Sequence, residues 1–169
     1  YLQANLVVGY NIDSLDEKQR KIFDSEINRN KGNIYCGDII AKYEGAFPIW
    51  AFIEIVPFGR LVAFYGFCAD RFSDKSMKDT FYRLLTCKEI RNASAHSNCI
   101  LNNLKAKTAA HSTNAAVTSE LMKIKGMNTN FRKNRMSNAR IQQVVTLLYT
   151  HKDMVESEGI KRSESEDLK

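Results

Sequence analysis

The longest apolar stretch of the chain, from Ala46 to Ala69, restricts the fold more than any other feature. Its length suggests a membrane span, but Glu54 and Arg60 lie in its middle, and a charged side chain at the centre of a bilayer costs several kcal/mol. Pro57 and Gly59 also interrupt a helix at this point. The stretch therefore predicts two buried helices separated by a break at residues 57–59, in a protein that does not span a membrane.

Local signals elsewhere also predict helices. Ser14 and Glu17 form the S-x-x-E pattern of a capping box, and Pro48 suits the first turn of a new helix. The segment IWAFIEIV after Pro48 would equally fit a strand, but two prolines and eight glycines are few for an all-β protein. We therefore expect an all-α bundle of about five to seven helices. The longest is predicted from Ser76 to about Asn98, with Ser73 or Asp74 near its start, and the last from Ser137 to about Val155.

The length and composition of the chain indicate one globular domain. The 169 residues can form a single sizeable core, and 44% hydrophobic with 26% charged residues is typical of a folded protein. We expect this domain to cover residues 1–155. Residues 156–169, ESEGIKRSESEDLK, have almost no apolar content and are expected to form a polar, flexible tail. The chain has no initiator methionine and no signal peptide pattern, so we expect an N-terminal part of the domain to be missing.

The charge of the chain suggests a polyanionic partner. A net charge of +6 is compatible with RNA, DNA or a membrane surface, or simply with solubility. The segment LMKIKGMNTNFRKNRMSNAR is strongly basic, and phosphate neutralisation is its natural chemistry. Phe131 within it could stack on a base or anchor the loop. The segment could equally be a solvated surface. Its candidate RNA-binding residues are Lys123, Lys125, Arg132, Lys133, Arg135 and Arg140.

The cysteines favour a reducing, cytoplasmic setting and no metal site. The four cysteines stand singly, without a C-x-x-C pair, in apolar or helical surroundings. Cys87, His96, Cys99 and His111 have the right chemistry for zinc, but their spacing fits no common zinc motif. We predict no metal and no cofactor.

Three polar residues interrupt the longest predicted helix. On a helical wheel with Phe81 at the origin, Asn92 and His96 fall at about 20° and 60°, and Arg91 at about −80°. The polar trio therefore lies along or beside the stripe that begins with Phe81. Because burying such groups without partners costs a few kcal/mol each, we expect other groups to contact them.

The trio has the chemistry that RNA cleavage by its own 2′-hydroxyl requires. Histidine supplies an acid or base near neutral pH, arginine binds the charge that builds on the phosphate, and asparagine can hold the imidazole tautomer or bind phosphate. No metal is needed. A structural role is the alternative, in which His96 caps the helix and Arg91 pairs with a carboxylate such as Glu54 or Glu89. Spacing alone favours the structural role.

Two sequence blocks carry a resemblance that changes this balance. The stretch RNASAHSNCILN, beginning at Arg91, resembles the R-N-x-x-x-H motif of the HEPN superfamily of RNases, and in particular the Abi family of bacterial abortive-infection proteins. Upstream, FPIWAFIEIVPFGRLVAFY resembles the P-I-W-x-x-x-E-x-x-x-F-G segment of that family. The resemblance covers roughly Phe23 to Asn103 and implies an all-α fold, a HEPN-like helical bundle.

The resemblance also assigns site residues. It implies that Arg91 and His96 are catalytic, with Asn92 as the polar residue after the arginine. Glu54 of the upstream block would orient Arg91 or His96, and Asn102 matches the asparagine that follows the motif. Many relatives have a second histidine after His96, where this chain has serine.

The function implied is a metal-independent endoribonuclease of the abortive-infection or toxin–antitoxin type, acting in phage defence. Such domains form homodimers in which two motifs face each other and build one composite site for RNA. A toxic RNase needs restraint, so an antitoxin protein or RNA is an expected partner. The alternative is a non-catalytic HEPN-like module that binds RNA or a partner.

Overall fold

The computed structural model describes the backbone of residues 2–167 and the side chains of residues 6–160, 162 and 163. The described residues contain ten α-helices and no strand, which confirms the all-α prediction. The number exceeds the predicted five to seven because four of the helices have only seven or eight residues. The helices are α1 (Leu2–Asp13), α2 (Glu17–Asn30), α3 (Gly37–Tyr43), α4 (Ile49–Ile55), α5 (Phe58–Arg71), α6 (Lys75–Ala95), α7 (Ala115–Met122), α8 (Thr129–Met136), α9 (Ala139–Met154) and α10 (Glu158–Asp167).

The helices group into two compact units, residues 1–77 and 78–169. In the first unit, α1 packs on α4 and α5, and α3 packs on α2 and α4. Phe52 lies at the centre of its core and is 0% exposed. The Phe52 ring lies 6.3 Å from that of Phe23 and 5.0 Å from that of Phe64, between centroids. Hydrophobic burial around this ring holds the first unit together.

The apolar stretch forms two helices, as predicted. It is divided between α4 and α5 at Val56 and Pro57, which both have extended backbone angles. Pro57 lacks an N–H, so it suits the start of α5 and prevents α4 from continuing. No helix among the described residues is long and apolar enough to cross a membrane.

Two predicted helix starts have different outcomes. Asp16, not Ser14, caps α2: its carboxylate accepts the N–H of Gln19 at 2.8 Å, and the Gln19 side chain accepts the N–H of Asp16 at 3.2 Å. Ser14 instead donates its hydroxyl to the carbonyl of Asn11 at 2.7 Å, because α1 ends there. The prediction of Ser14 as the cap was wrong because two capping patterns overlap here, Ser14 with Glu17 and Asp16 with Gln19. The start of α6 is correct, since the Asp74 carboxylate accepts the N–H groups of Ser76 and Met77.

In the second unit, polar side chains of α6 and α9 meet in a buried seam. Arg83 is 5% exposed and donates to Asp153 at 2.7 Å and to Thr80 at 2.8 Å. One turn further along α6, burial raises the pKa of the Cys87 thiol, although a hydrogen bond with Thr150 opposes the shift. Helix α9 also packs on α7 and α8.

A second buried joint holds the long loop between α6 and α7. Asn138 is 2% exposed and donates its side-chain amide to the carbonyl of Lys105 at 2.7 Å. Its side-chain oxygen caps α9 by accepting the N–H of Ile141 at 2.9 Å. The neighbouring Ser137 carbonyl accepts the N–H groups of Thr108 and Ala109, each at 2.9 Å. The loop is therefore fixed to the junction of α8 and α9.

We expect Asn138→Ala to lower the free energy of unfolding by about 2–3 kcal/mol, because it removes the cap of α9 and also the bond from the buried Asn138 amide to the Lys105 carbonyl. The matched control is Asn128→Ala. Asn128 caps α8 by accepting the N–H of Phe131 at 2.8 Å and is exposed, so about 1 kcal/mol is expected. Urea denaturation followed by circular dichroism measures both values. Equal losses would show that the contact with Lys105 adds nothing.

The segment after α9 contains a helix where we expected a flexible tail. Helix α10 spans Glu158–Asp167, and the Ser157 hydroxyl accepts the N–H of Ile160 at 3.4 Å at its start. A serine before a glutamate-rich turn is a typical helix start, which explains the helical backbone despite the low apolar content. That this segment is flexible, and that residues 1–155 form one domain, remain predictions.

Candidate active site

The R-N-x-x-x-H motif lies at the C-terminal end of α6. Arg91 and Asn92 are in its last turns, and His96 is the first residue beyond it, with its N–H still bonded to the carbonyl of Asn92 at 3.1 Å. The helix ends because Ser97 adopts a left-handed conformation with φ of 53°. The motif thus places its histidine where the chain leaves the helix.

The helix end is a Schellman motif without glycine. The N–H of Ser97 donates to the carbonyl of Ser94 at 3.0 Å, and the N–H of Asn98 donates to the carbonyl of Ala93 at 2.8 Å. These two bonds satisfy carbonyls that would otherwise lack partners at the end of the helix. They also fix the backbone on both sides of His96.

The predicted position of the trio on the buried stripe is wrong. Arg91, Asn92 and His96 are all exposed in the chain. The buried residues of α6 lie on another face, and Phe81 is only half-buried. Phe81 does not mark the buried face of α6, because that face contains polar residues that contact α9. These buried residues are Thr80, Arg83, Cys87 and Ile90.

The three polar side chains nevertheless share one end of the helix. The Arg91 guanidinium bends toward Asn92 and donates to its side-chain oxygen at 3.3 Å. Asn92 and His96 are four residues apart and therefore lie on the same side of the helix, one turn from each other. A cation, an amide and an imidazole are thus presented together to solvent. The position of His96 at the helix end also fits the structural alternative, so position alone does not separate the two roles.

The upstream block lies on α4 in the first unit. Trp50 and Glu54 are one turn apart and exposed, and the Trp50 ring meets Tyr43 edge-on at 5.2 Å between centroids. The intervening Phe52 is buried in the core. The block therefore combines core positions with an exposed edge. That Glu54 orients Arg91 or His96 remains a prediction.

Asn102 lies in the loop that follows the motif. It is exposed, and its N–H donates to the carbonyl of Cys99 at 3.3 Å in a turn. The structure gives it no further role, so its supporting function also remains a prediction.

Some of the predicted RNA-binding residues already contact other side chains, and others do not. Lys123 is paired with Glu120 at 2.6 Å, and Lys152 contacts the same carboxylate. Arg135 lies over the Phe131 ring, with its guanidinium 5.1 Å from the ring centroid, so both are already engaged with each other. In the part of the chain that the structure describes, no carboxylate pairs with the other five of the six, Lys125, Arg132, Lys133, Arg135 and Arg140.

Glu120 is the carboxylate with the most strongly altered acidity. Hydrogen bonds from Lys123 and then Lys152 lower its pKa to about 2, and the same contact raises the pKa of Lys123. Because the pKa of Glu120 is lower in the folded chain, its stabilising effect is present above the ordinary value and is lost as the pH falls toward about 2.

We therefore expect Glu120→Gln to lower the melting temperature at neutral pH, and we expect the difference from wild type to shrink as the pH falls toward about 2, where the wild-type carboxyl becomes protonated. The effect should be small, since the pair is exposed. Thermal melts at a series of pH values measure it. Glu156→Gln removes another exposed carboxylate and is the control. A difference between wild type and Glu120→Gln that persists at low pH would contradict the ion-pair account.

The residues considered as zinc ligands are not gathered by the fold. Cys87 is buried, whereas His96, Cys99 and His111 are exposed. Among the residues that the structure describes, no group of three His, Cys, Asp or Glu side chains could hold a metal ion.

Comparison with known proteins identifies the family. The sequence profile described as Abi-like protein matches residues 1–102, which is more than half of the chain. The match includes the whole first unit, helix α6 and the motif through Asn102, and it ends before α7. No curated protein and no solved structure matches the chain. The chain belongs to the Abi-like protein family.

Proposed function

We propose that this protein is a metal-independent endoribonuclease of the HEPN type, acting in abortive infection. The observation that carries the proposal is the arrangement of Arg91, Asn92 and His96 at the exposed end of α6, inside the segment that matches the Abi-like family. These are the groups that cleavage of RNA by its own 2′-hydroxyl needs, and they are open to a large polymeric substrate.

In the proposed reaction, the ribose 2′-oxygen attacks the adjacent phosphorus and the bond from phosphorus to the 5′-oxygen breaks. The products are a 2′,3′-cyclic phosphate and a 5′-hydroxyl. The His96 imidazole takes the proton from the 2′-hydroxyl or gives one to the leaving oxygen. The Arg91 guanidinium binds the phosphate oxygens as their negative charge grows. Asn92 holds that guanidinium through the 3.3 Å bond to its side-chain oxygen.

A second copy of the chain would complete the site. Cleavage uses both an acid and a base, and the motif of one chain offers a single histidine, since Ser97 follows His96. A two-fold axis near the end of α6 would bring a second His96 to the same phosphate. The face of α6 that carries Asn92 and His96 also exposes Tyr82, which is 55% accessible. Tyrosine is enriched in protein interfaces, so this face of α6 suits contact with a second copy.

The dimer is tested by light scattering after size exclusion over a range of concentrations. The proposal predicts twice the mass of the chain, and a strict monomer at high concentration would contradict the composite site. Glu89→Arg on the exposed side of α6 replaces a negative by a positive charge beside Arg91 of each chain. It should shift the chain toward monomer and lower cleavage together.

A non-catalytic RNA- or partner-binding module is the second candidate. It is favoured by the place of His96 at the end of α6, where its backbone N–H bonds to Asn92. Incubating total RNA with the protein and EDTA separates the candidates. RNA that stays intact would exclude the nuclease, and cleavage that EDTA abolishes would exclude a metal-free mechanism. A toxic RNase needs restraint, so we expect an antitoxin protein or RNA as a partner of the enzyme.

A further inference from the structure

The excess of positive over negative charge in the chain lies in one segment. Residues 90–152 contain ten Lys and Arg, all three histidines and a single acidic residue, Glu120. Residues 1–89 contain twelve acidic and twelve basic residues, and residues 153–169 contain six acidic and three basic residues. The segment begins at the motif and continues well past residue 102, where the family match ends. Most of its cations therefore belong to a part of this chain that the family profile does not cover.

The buried joint at Asn138 brings cations from two distant parts of this segment together. Lys105 is held through its carbonyl, which accepts the Asn138 side chain at 2.7 Å. Lys107 is held through its N–H, which donates to the Ser137 hydroxyl at 3.1 Å. Ser137 directly follows α8, which carries Lys133 and Arg135, and Arg140 lies in the first turn of α9. The same loop begins at His96, the residue after α6, so the chain runs directly from the motif to the joint with α8 and α9.

These cations are available to a ligand. Lys105 and Lys107 are exposed, and neither pairs with a carboxylate among the described residues. Arg140 donates only to the neutral side chain of Gln143, at 2.9 Å. Lys123 and Lys152 differ from them, because both contact Glu120. In the loop and next to the junction of α8 and α9, five cations therefore have no carboxylate partner among the described residues: Lys105, Lys107, Lys133, Arg135 and Arg140.

We propose that the loop and the junction of α8 and α9 form a second binding surface, here called the basic platform, which holds the phosphates of single-stranded RNA beyond the cleavage site. The inference rests on the proposed function in taking RNA as the substrate. Unpaired RNA is favoured because 2′-hydroxyl attack needs a nucleotide free to rotate out of A-form geometry, and unpaired bases can lie against the exposed Leu101 and Leu104 of the loop. The platform consists of Lys105, Lys107, Lys133, Arg135 and Arg140.

The platform is tested by binding of a fluorescent, fully 2′-O-methylated RNA of unpaired sequence to the full chain. This probe lacks the attacking hydroxyl, so binding is measured whether or not the protein cleaves RNA. Lys105→Gln combined with Lys107→Gln should weaken binding roughly 10- to 30-fold at about 0.1 M salt. The slope of log affinity against log salt should fall by about 1.4, which is about 0.7 for each lost phosphate contact.

The matched control is Lys18→Gln combined with Lys75→Gln. It removes the same charge from exposed positions outside residues 90–152 and should change affinity less than about twofold. Equal losses in the two double variants would overturn the platform, because they would reflect net charge alone. Equally tight binding to duplex RNA or to phosphatidylserine vesicles would also overturn it. Lysine-dependent binding without cleavage of unmodified RNA would support the platform and exclude the nuclease.

Discussion

Replacing His96 by alanine is expected to lower RNA cleavage by roughly 10²- to 10⁴-fold, which is the usual effect of losing a general acid or base. The fold should be almost unaffected, because the side chain is exposed and the helix end is held by backbone bonds of Ser97 and Asn98. The measurement is the initial rate of cleavage of an end-labelled RNA in EDTA, together with a thermal melt of the same preparation.

His111→Ala is the matched control for this prediction. His111 is another of the three histidines, is also exposed, and lies in the loop after the motif. Its replacement should leave cleavage within about twofold of wild type, whereas a comparable loss would point to a general charge effect. If instead His96→Ala lowers the melting temperature and leaves the cleavage rate unchanged, the motif has a structural role and the second candidate function is correct.

Phe52→Ala is expected to lower the free energy of unfolding by about 3–5 kcal/mol. Its ring is fully buried between Phe23 and Phe64. Truncation to alanine therefore leaves a cavity, and the packed helices around it cannot move enough to fill it. Since domains are stable by only about 5–15 kcal/mol, such a loss would leave the first unit marginal. Urea denaturation followed by circular dichroism at 222 nm measures it.

Trp50→Ala tests whether burial, rather than aromatic character, sets this value. Trp50 is on the same helix but 49% exposed, and its ring contacts Tyr43 edge-on. We expect a loss of about 1 kcal/mol, from the ring pair and partial burial. A loss as large as that of Phe52→Ala would contradict the assignment of the core. Trp50 is also the single tryptophan, so fluorescence cannot follow this variant.

The parts of the fold that follow from local chemistry could be predicted from the sequence. Pro57 marks the break in the apolar stretch, Asp74 marks the start of α6, and the few prolines and glycines indicate an all-α chain. The phase of α6 could not be predicted, since its buried face contains Arg83. Arg83 contacts Asp79 on its own helix at 3.5 Å, but its nearer carboxylate, at 2.7 Å, belongs to Asp153, 70 residues away, and no local pattern reveals that pair.

In the candidate site, too, residues close in sequence could be predicted, whereas those joined by long-range contacts could not. The motif was found because its residues are adjacent in sequence, and its family was confirmed by the match through residue 102. The place of Lys105 and Lys107 in the proposed basic platform could not be predicted from the sequence. It depends on contacts of Lys105 with Asn138 and of Lys107 with Ser137, which are 33 and 30 residues apart. One signal was present in the sequence: no acidic residue occurs between Glu89 and Glu120.

Analysis of the RNA ends left by the purified wild-type protein in EDTA tests the central claim most directly. Attack by the 2′-hydroxyl leaves a 2′,3′-cyclic phosphate and a 5′-hydroxyl. A 5′-labelled fragment that ends in the cyclic phosphate cannot be ligated at its 3′ end until the phosphate ring is opened and the phosphate is removed. We predict these ends from wild type and none from His96→Ala. Fragments with a 3′-hydroxyl and a 5′-phosphate, or uncut RNA, would contradict cleavage by Arg91 and His96.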